Sequence, residues 1–177
     1  MRQIVLLRGI NIGSRNRVAM PRLRAVLGDA GFEDVATYLA SGNVVLTSDA
    51  SSAELAKRCK GLIANGFGLD IDVVVRTRDE LAAVVERDPL GKVAKNPKRY
   101  QVTFLAKRLG PKAVRELDAL ATKSERLVAI GRELYAWHPD GVARSRLWAR
   151  LASKDLGVTA TSRNWTTVTK LLALADG

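Results

Sequence analysis

The chain has 177 residues, of which 47% are hydrophobic and 27% charged, with a net charge of +11. That composition excludes a disordered polymer, and the length allows one substantial core or two small α+β halves. No apolar run approaches the roughly 20 residues a membrane helix needs, so no membrane association is expected. The single cysteine, Cys59, excludes an internal disulfide and multi-cysteine metal sites; no metal and no cofactor is expected.

Residues 4–7 (Ile-Val-Leu-Leu) form an apolar run closed by Arg8. It is too short for a signal-peptide core and reads as a buried first strand, so a cytoplasmic location is expected. A loop rich in Gly, Asn and Arg follows over 9–18. Pro21 suits a first helical turn, Leu23, Val26 and Leu27 have helical spacing, and Gly31 closes the helix. Residues 35–39 and 44–47 are β-rich. Ala40-Ser41-Gly42-Asn43 between them reads as a hairpin turn in which Gly42 and Asn43 tolerate positive φ. Ser51 or Ser52 can cap a second helix with Leu55, Cys59, Leu62 and Ile63 along one face, and 71–75 is another buried strand.

The order β-α-β-β-α-β is the ferredoxin-like split βαβ unit, an antiparallel sheet with the first strand between the third and fourth. Ile4-Val5-Leu6-Leu7 and Val73-Val74-Val75 are apolar on both faces, so the second face needs a cover. The second half begins with a helix over 79–86, then a basic loop over 91–98. A strand over 100–105, a helix over 111–120, a hairpin about Gly131 and two closing helices near 145–151 and 162–174 complete it. The expected fold class is α+β. A ferredoxin-like half over residues 1–77, with its antiparallel sheet, packs against a second, smaller α+β half over 78–177. A repeat of topology is plausible from this order, without residue-level similarity.

The positive charge is clustered. Arg2, Arg8, Arg15, Arg17, Arg22 and Arg24 all precede the first carboxylate, Asp29. Such a chain is drawn to polyanions or phosphorylated ligands, so the expected partners are nucleic acid or a phosphate-containing small molecule. Three motifs could hold such a ligand. Arg8-Gly9-Ile10-Asn11-Ile12-Gly13 follows the first strand, and its glycines let backbone N–H groups approach an anion. Ser41-Gly42-Asn43 lies at the same end of the sheet, because the first two strands of a split βαβ unit run the same way. In the third, Thr161 or Ser162 caps the last helix, with Arg163 and Asn164 on its first turn. The candidate ligand-binding residues are thus Arg8, Gly9, Asn11, Gly13, Ser41, Gly42, Asn43, Arg163 and Asn164. Each residue type also serves turns and caps in its own right.

Base stacking in the manner of an RNA-recognition sheet is excluded, because the central strands carry no aromatic residue. His138, the only histidine, precedes Pro139 in turn chemistry, and Cys59 reads as a small buried side chain rather than a nucleophile. Carboxylates are missing from 1–28, so a general base is hard to supply there. No catalytic residue is assigned. Binding of an anion, nucleotide-like or a polynucleotide backbone, ranks first. A small enzyme acting on a phosphorylated substrate and an interaction module without a small ligand are the alternatives.

Arg8-Gly9-Ile10-Asn11-Ile12-Gly13, Ser41-Gly42-Asn43-Val44-Val45 and Thr161-Ser162-Arg163-Asn164-Trp165-Thr166-Thr167-Val168 resemble a bacterial family known as domain of unknown function 1697. Met20, Leu23, Gly31, Tyr38, Phe104 and Tyr135 also fit it. The resemblance implies an α+β fold with a ferredoxin-like first half and implies no activity. The chain departs from the family at Ser14, where a second glycine is common, and at Thr166, where asparagine is common.

Overall fold

The computed structural model describes residues 1–177. The chain divides into two compact units, one of Met1–Ala82 with Leu171–Gly177 and the other of Ala83–Lys170. In the first unit, β1 (Arg2–Leu7), α1 (Met20–Asp29), β2 (Glu33–Tyr38), β3 (Asn43–Thr47), α2 (Ser52–Phe67) and β4 (Val73–Thr77) form the expected split βαβ unit. Its antiparallel sheet has the order β2-β3-β1-β4. Local chemistry sets the helix ends. Ser51 Oγ accepts the Glu54 N–H at 3.2 Å while Glu54 Oε2 accepts the Ser51 N–H at 3.2 Å, a capping box that starts α2.

One face of this sheet meets its helices. Val5, Leu7, Val44, Leu46, Val73 and Val75 pack with Leu23, Leu27, Leu55, Cys59 and Ile63 in a single core. The opposite face is equally dry: Ile4, Leu6, Val45, Val74 and Arg76 are all buried. Strands apolar on both sides are thus matched by burial on both sides, as the sequence requires.

α3 (Arg78–Arg87) leads into the second unit, where β5 (Tyr100–Leu105), α4 (Pro111–Asp118), β6 (Arg126–Ile130), β7 (Glu133–Trp137), α5 (Arg146–Leu151) and β8 (Ala160–Asn164) follow; α6 (Trp165–Asp176) begins in this unit and ends in the closing segment of the first. The sheet order is β6-β7-β5-β8, the same topology again. β8 corrects the sequence reading, which runs its residues into the last helix. They pair antiparallel with β5, and Thr103 Oγ1 and Ser162 Oγ lie 2.7 Å apart across the pair. Ala-Thr-Ser-Arg-Asn is short and polar, and its cap-forming residue types hide an extended segment whose N–H groups bond to β5.

With β8 in place, the repeat reaches single residues. Gln3 pairs with Thr77 as Gln101 pairs with Asn164, and Ile4 faces Arg76 as Val102 faces Arg163. Gln3 and Gln101, Leu7 and Leu105, and Arg76 and Arg163 therefore occupy equivalent positions. Thr77 and Asn164 each cap the helix that follows, accepting the N–H of Glu80 and Thr167 at 3.1 and 2.9 Å. Within the second unit, the face away from α4 and α5 is closed by the segment after Ala83. Tyr135 donates to the Val84 carbonyl at 3.1 Å, Tyr100 donates to Asp88 at 3.0 Å, and Trp165 stacks on Tyr100 at 4.6 Å.

The hairpin between β2 and β3 is also built differently from the expectation. Asn43 is no turn residue: it opens β3, fully buried, and its amide closes the turn by donating to Tyr38 O at 2.9 Å and Ser41 Oγ at 3.1 Å. Positive φ falls on Gly42 (+97°), as expected, and on Leu39 (+59°) rather than Asn43. A Cβ on Gly42 would stand 2.7 Å from Leu7 Cβ. Gly42→Ala is expected to destabilise the protein by about 1–3 kcal/mol, from backbone strain and overpacking together. A fall in the urea midpoint without a change of slope is the measurement that checks it.

Candidate functional site

The loop over residues 8–19 leaves β1 at the sheet end that also carries the β2–β3 hairpin, and backbone bonds join the two. The Leu7 N–H donates to Gly42 O at 2.8 Å. Asn11, at φ +54°, then spends both amide protons on the scaffold: Nδ2 donates to Val18 O at 2.9 Å and to Ala40 O at 2.6 Å. Its Oδ1 accepts the Val18 N–H at 2.8 Å. Asn16 Nδ2 donates to Gly9 O at 2.9 Å, and the Asn11 N–H to Asn16 O at 2.9 Å. The loop is therefore pinned at its base, while its tip stands in solvent.

Arg8, Gly9, Asn11, Gly13, Ser41, Gly42 and Asn43 do gather at this end, with roles that the sequence did not separate. Asn11 and Asn43 hold backbone. Gly9 and Gly13 hold φ at +69° and +58°, on either side of Asn11, so the loop backbone relies on residues that tolerate the left-handed region. Ser41 is exposed, Gly42 buried and Arg8 half-buried, with the Arg8 N–H bonded to Asp72 O at 3.0 Å.

Apart from Arg8, the early arginines separate into two groups. Arg2 donates to Asp34 O at 2.9 Å, Arg22 to Gly66 O at 2.6 Å while lying over the Phe67 ring, and Arg24 to Thr37 Oγ1 at 2.6 Å. These three tie elements of the unit together. Arg15 and Arg17 stand exposed at the loop tip in no ion pair; Arg17 reaches only Gly13 O, at 3.0 Å. Of the acidic residues before β4, Asp70 and Asp72 are bridged by Lys60, at 2.8 Å and 3.2 Å.

Arg163 and Asn164 belong to the second unit, and the structure corrects their setting. They end β8 and do not form the first turn of a helix. Asn164, not Thr161 or Ser162, caps α6. Arg163 is buried and donates to Thr161 Oγ1 at 2.7 Å and Ser162 O at 2.8 Å. Burial pushes its guanidinium down to about 10.

Sequence reasoning missed a second polar cluster, also in this unit. Glu125 before β6, His138 after β7 and Ser145 before α5 are all buried. Glu125 Oε2 lies 2.5 Å from His138 Nδ1 and accepts the Ser145 hydroxyl at 2.6 Å. Ser145 Oγ accepts the Trp148 N–H at 3.0 Å, and His138 meets Trp148 edge-on at 5.8 Å. A cleft of about 420 Å³ opens beside Glu125 and Ser145, lined also by Thr122, Asp140 and Arg144. The arrangement differs from a serine–histidine relay. The carboxylate takes both the serine proton and Nδ1, and Nε2 is buried with no hydrogen-bond partner. Its evident work is to lock the start of α5 to the β6–β7 hairpin. The only sequence signals were the lone histidine and a serine at a helix start; their partnership is tertiary.

Cys59 is buried, and burial pushes its thiol up to about 12 against the pull of Arg58, so it is no ready nucleophile. No group of three or more His, Cys, Asp or Glu side chains could hold a metal ion. No helix is long and apolar enough to cross a membrane.

The lock carries a pH signature. Burial pushes the Glu125 carboxyl up, but hydrogen bonds from Ser145, His138 and the Thr122 N–H outweigh it and hold the group below its ordinary range. A depressed folded value adds stability above the unfolded value and loses it as pH falls through the folded one. Glu125→Gln is expected to cost about 1–3 kcal/mol at pH 7, and the gap from the wild type should close as pH falls from neutral through and below the ordinary carboxylate range. Urea unfolding of both proteins across that range is the check.

Comparison with known proteins agrees with the fold. The structure of the conserved bacterial protein SP0830 from Streptococcus pneumoniae is similar over 98% of each chain, with a TM-score of 0.78 and 24% identity. No curated protein matches the chain. The family model described as "Protein of unknown function (DUF1697)" matches residues 1–135, and the chain belongs to that family.

Proposed function

We propose that the end of the first sheet, at the loop over 8–18 and the β2–β3 hairpin, binds an anionic ligand through phosphate groups. The observation that carries this reading is the pairing of a braced base with an uncompensated tip. Asn11 fixes the loop by three bonds to backbone, and Arg15 and Arg17 project from it without a carboxylate partner. A braced loop loses little freedom on binding, and unpaired arginines offer charge-assisted, forked donors to phosphate. Arg8 at the base and the backbone about Gly9 and Gly13 extend the same surface. Asn11, Gly42 and Asn43 position it. Arg163 and Asn164 do structural work in their own unit, so the proposed contacts are those of the first unit. With Asp70 and Asp72 held by Lys60, the cluster supports binding better than turnover.

Heparin is the probe. Its affinity for the protein should fall steeply between low and high salt. Arg15→Ala with Arg17→Ala should weaken binding and lower the slope of log affinity against log salt by about 1 for each anion contact removed. Arg8→Ala should weaken heparin binding by about 1.5–3 kcal/mol. Absence of heparin binding at low salt would return the charge to an ordinary solvated surface.

A further inference from the structure

The loop tip carries a feature that anion binding alone leaves unexplained. Ile12 and Leu39 are each 57% exposed, among the few large apolar side chains left in water. Each lies one residue from the Asn11 Nδ2–Ala40 O bond of 2.6 Å that joins the two loops, so they sit on neighbouring backbones at one end of the sheet. Ile12 Cδ1 leans toward Gly9, 4.0 Å from where a Cβ would stand. Leu39 also holds φ at +59°, a conformation that leucine rarely adopts and that asparagine or glycine would take readily. The chain thus keeps a strained, largely solvated leucine and an exposed isoleucine on the two loops that the Asn11–Ala40 bond joins, with Arg15 and Arg17 exposed on the same loop as Ile12. Strain of this kind gathers where a surface has a task.

We infer that Ile12 and Leu39 form an aliphatic platform for the bases of a single-stranded polynucleotide whose phosphates lie on Arg15 and Arg17. The inference rests on the anion reading above and adds the ligand's second half. A base-bearing strand presents what this surface complements, flat apolar faces alternating with anions at short intervals. The exposed tip suits a strand laid across it rather than a small ligand, which calls for enclosure. A duplex turns its bases inward and offers the platform nothing. Arginines also point to nucleic acid over an anionic lipid surface. The exposed cations of the tip, Arg15 and Arg17, are both arginines, whose planar heads stack on bases and grip phosphate in two places, and two aliphatic side chains are too little apolar area to anchor a protein at a bilayer.

The test measures binding of a labelled 20-nucleotide oligothymidylate, a duplex of equal length, heparin, and vesicles of phosphatidylserine and phosphatidylcholine. The wild type should favour the single strand over the duplex. Ile12→Ser and Leu39→Asn should each weaken the single strand roughly three- to tenfold while leaving heparin binding unchanged. Leu39→Asn should also melt at or above the wild-type temperature, because asparagine accepts the positive φ; this separates loss of binding from loss of fold. Unchanged strand affinity in both variants would overturn the platform with the anion site intact. So would a duplex bound as tightly as the strand, or losses confined to vesicles. Failure of the wild type to bind heparin at low salt marks the different case in which the anion site itself is absent.

Discussion

Everything at the candidate site hangs from β1, a strand dry on both sides and hydrogen-bonded on both edges. Its antiparallel pairing with β3 sets Leu6 opposite Asn43, so the end of β1 and the start of β3 meet. From that pairing follow the Leu7–Gly42 bond, the demand for glycine where a Cβ would strike Leu7, and the position from which Asn11 reaches Ala40. The strand is held by burial, worth on the order of 25 cal/mol per Å² of apolar surface. The loop above it is held by side-chain bonds to backbone, three of them made by Asn11. Core energetics fix the platform, and a few polar contacts aim what stands on it.

Features carried by local rules were legible in the sequence. The first split βαβ unit, the capped start of α2 and the gathering of the Arg8 and Ser41 motifs at one end follow from hydrophobic period, cap residues and strand direction. Features decided by tertiary partners were not. β8 is a strand because β5 offers it a ladder, and its own residues read as a cap. Asn43 looked like a turn residue because asparagine belongs in turns; it lies in the strand beside the turn and closes it from there. The Glu125, His138 and Ser145 cluster is assembled across three elements, and no spacing in the chain announces it. Roles within the site were hidden likewise: the sequence names the asparagines as candidate ligand contacts, and only hydrogen-bond partners show them to be braces.

The two halves of the chain share more than topology. Identical residues recur at Gln3 and Gln101, Leu7 and Leu105, and Arg76 and Arg163, in matching register. The shared arginine is buried both times and faces the central strand one pair from the helix cap. Period-based reading could not align these positions while β8 was taken for helix. Once both sheets are registered, the repeat provides an internal control, because whatever the fold alone demands should appear twice.

The loop leaving the central strand does not appear twice. After β5 the chain needs only residues 106–110 to reach α4, whereas after β1 it takes residues 8–19 to reach α1. The hairpin beside it differs too: Gly131-Arg132 suffices between β6 and β7, where the first unit inserts Leu39-Ala40-Ser41-Gly42. Closing the fold therefore explains the short versions and not the long ones. The extra length is where the brace, the unpaired arginines and the strained leucine all lie. Length beyond what a connection requires, ordered by its own side-chain bonds and left polar and charged at its tip, is the form in which a scaffold carries a binding surface. The connections that are longer in the first half than in the second are thus the ones that carry the exposed charge and the bracing hydrogen bonds.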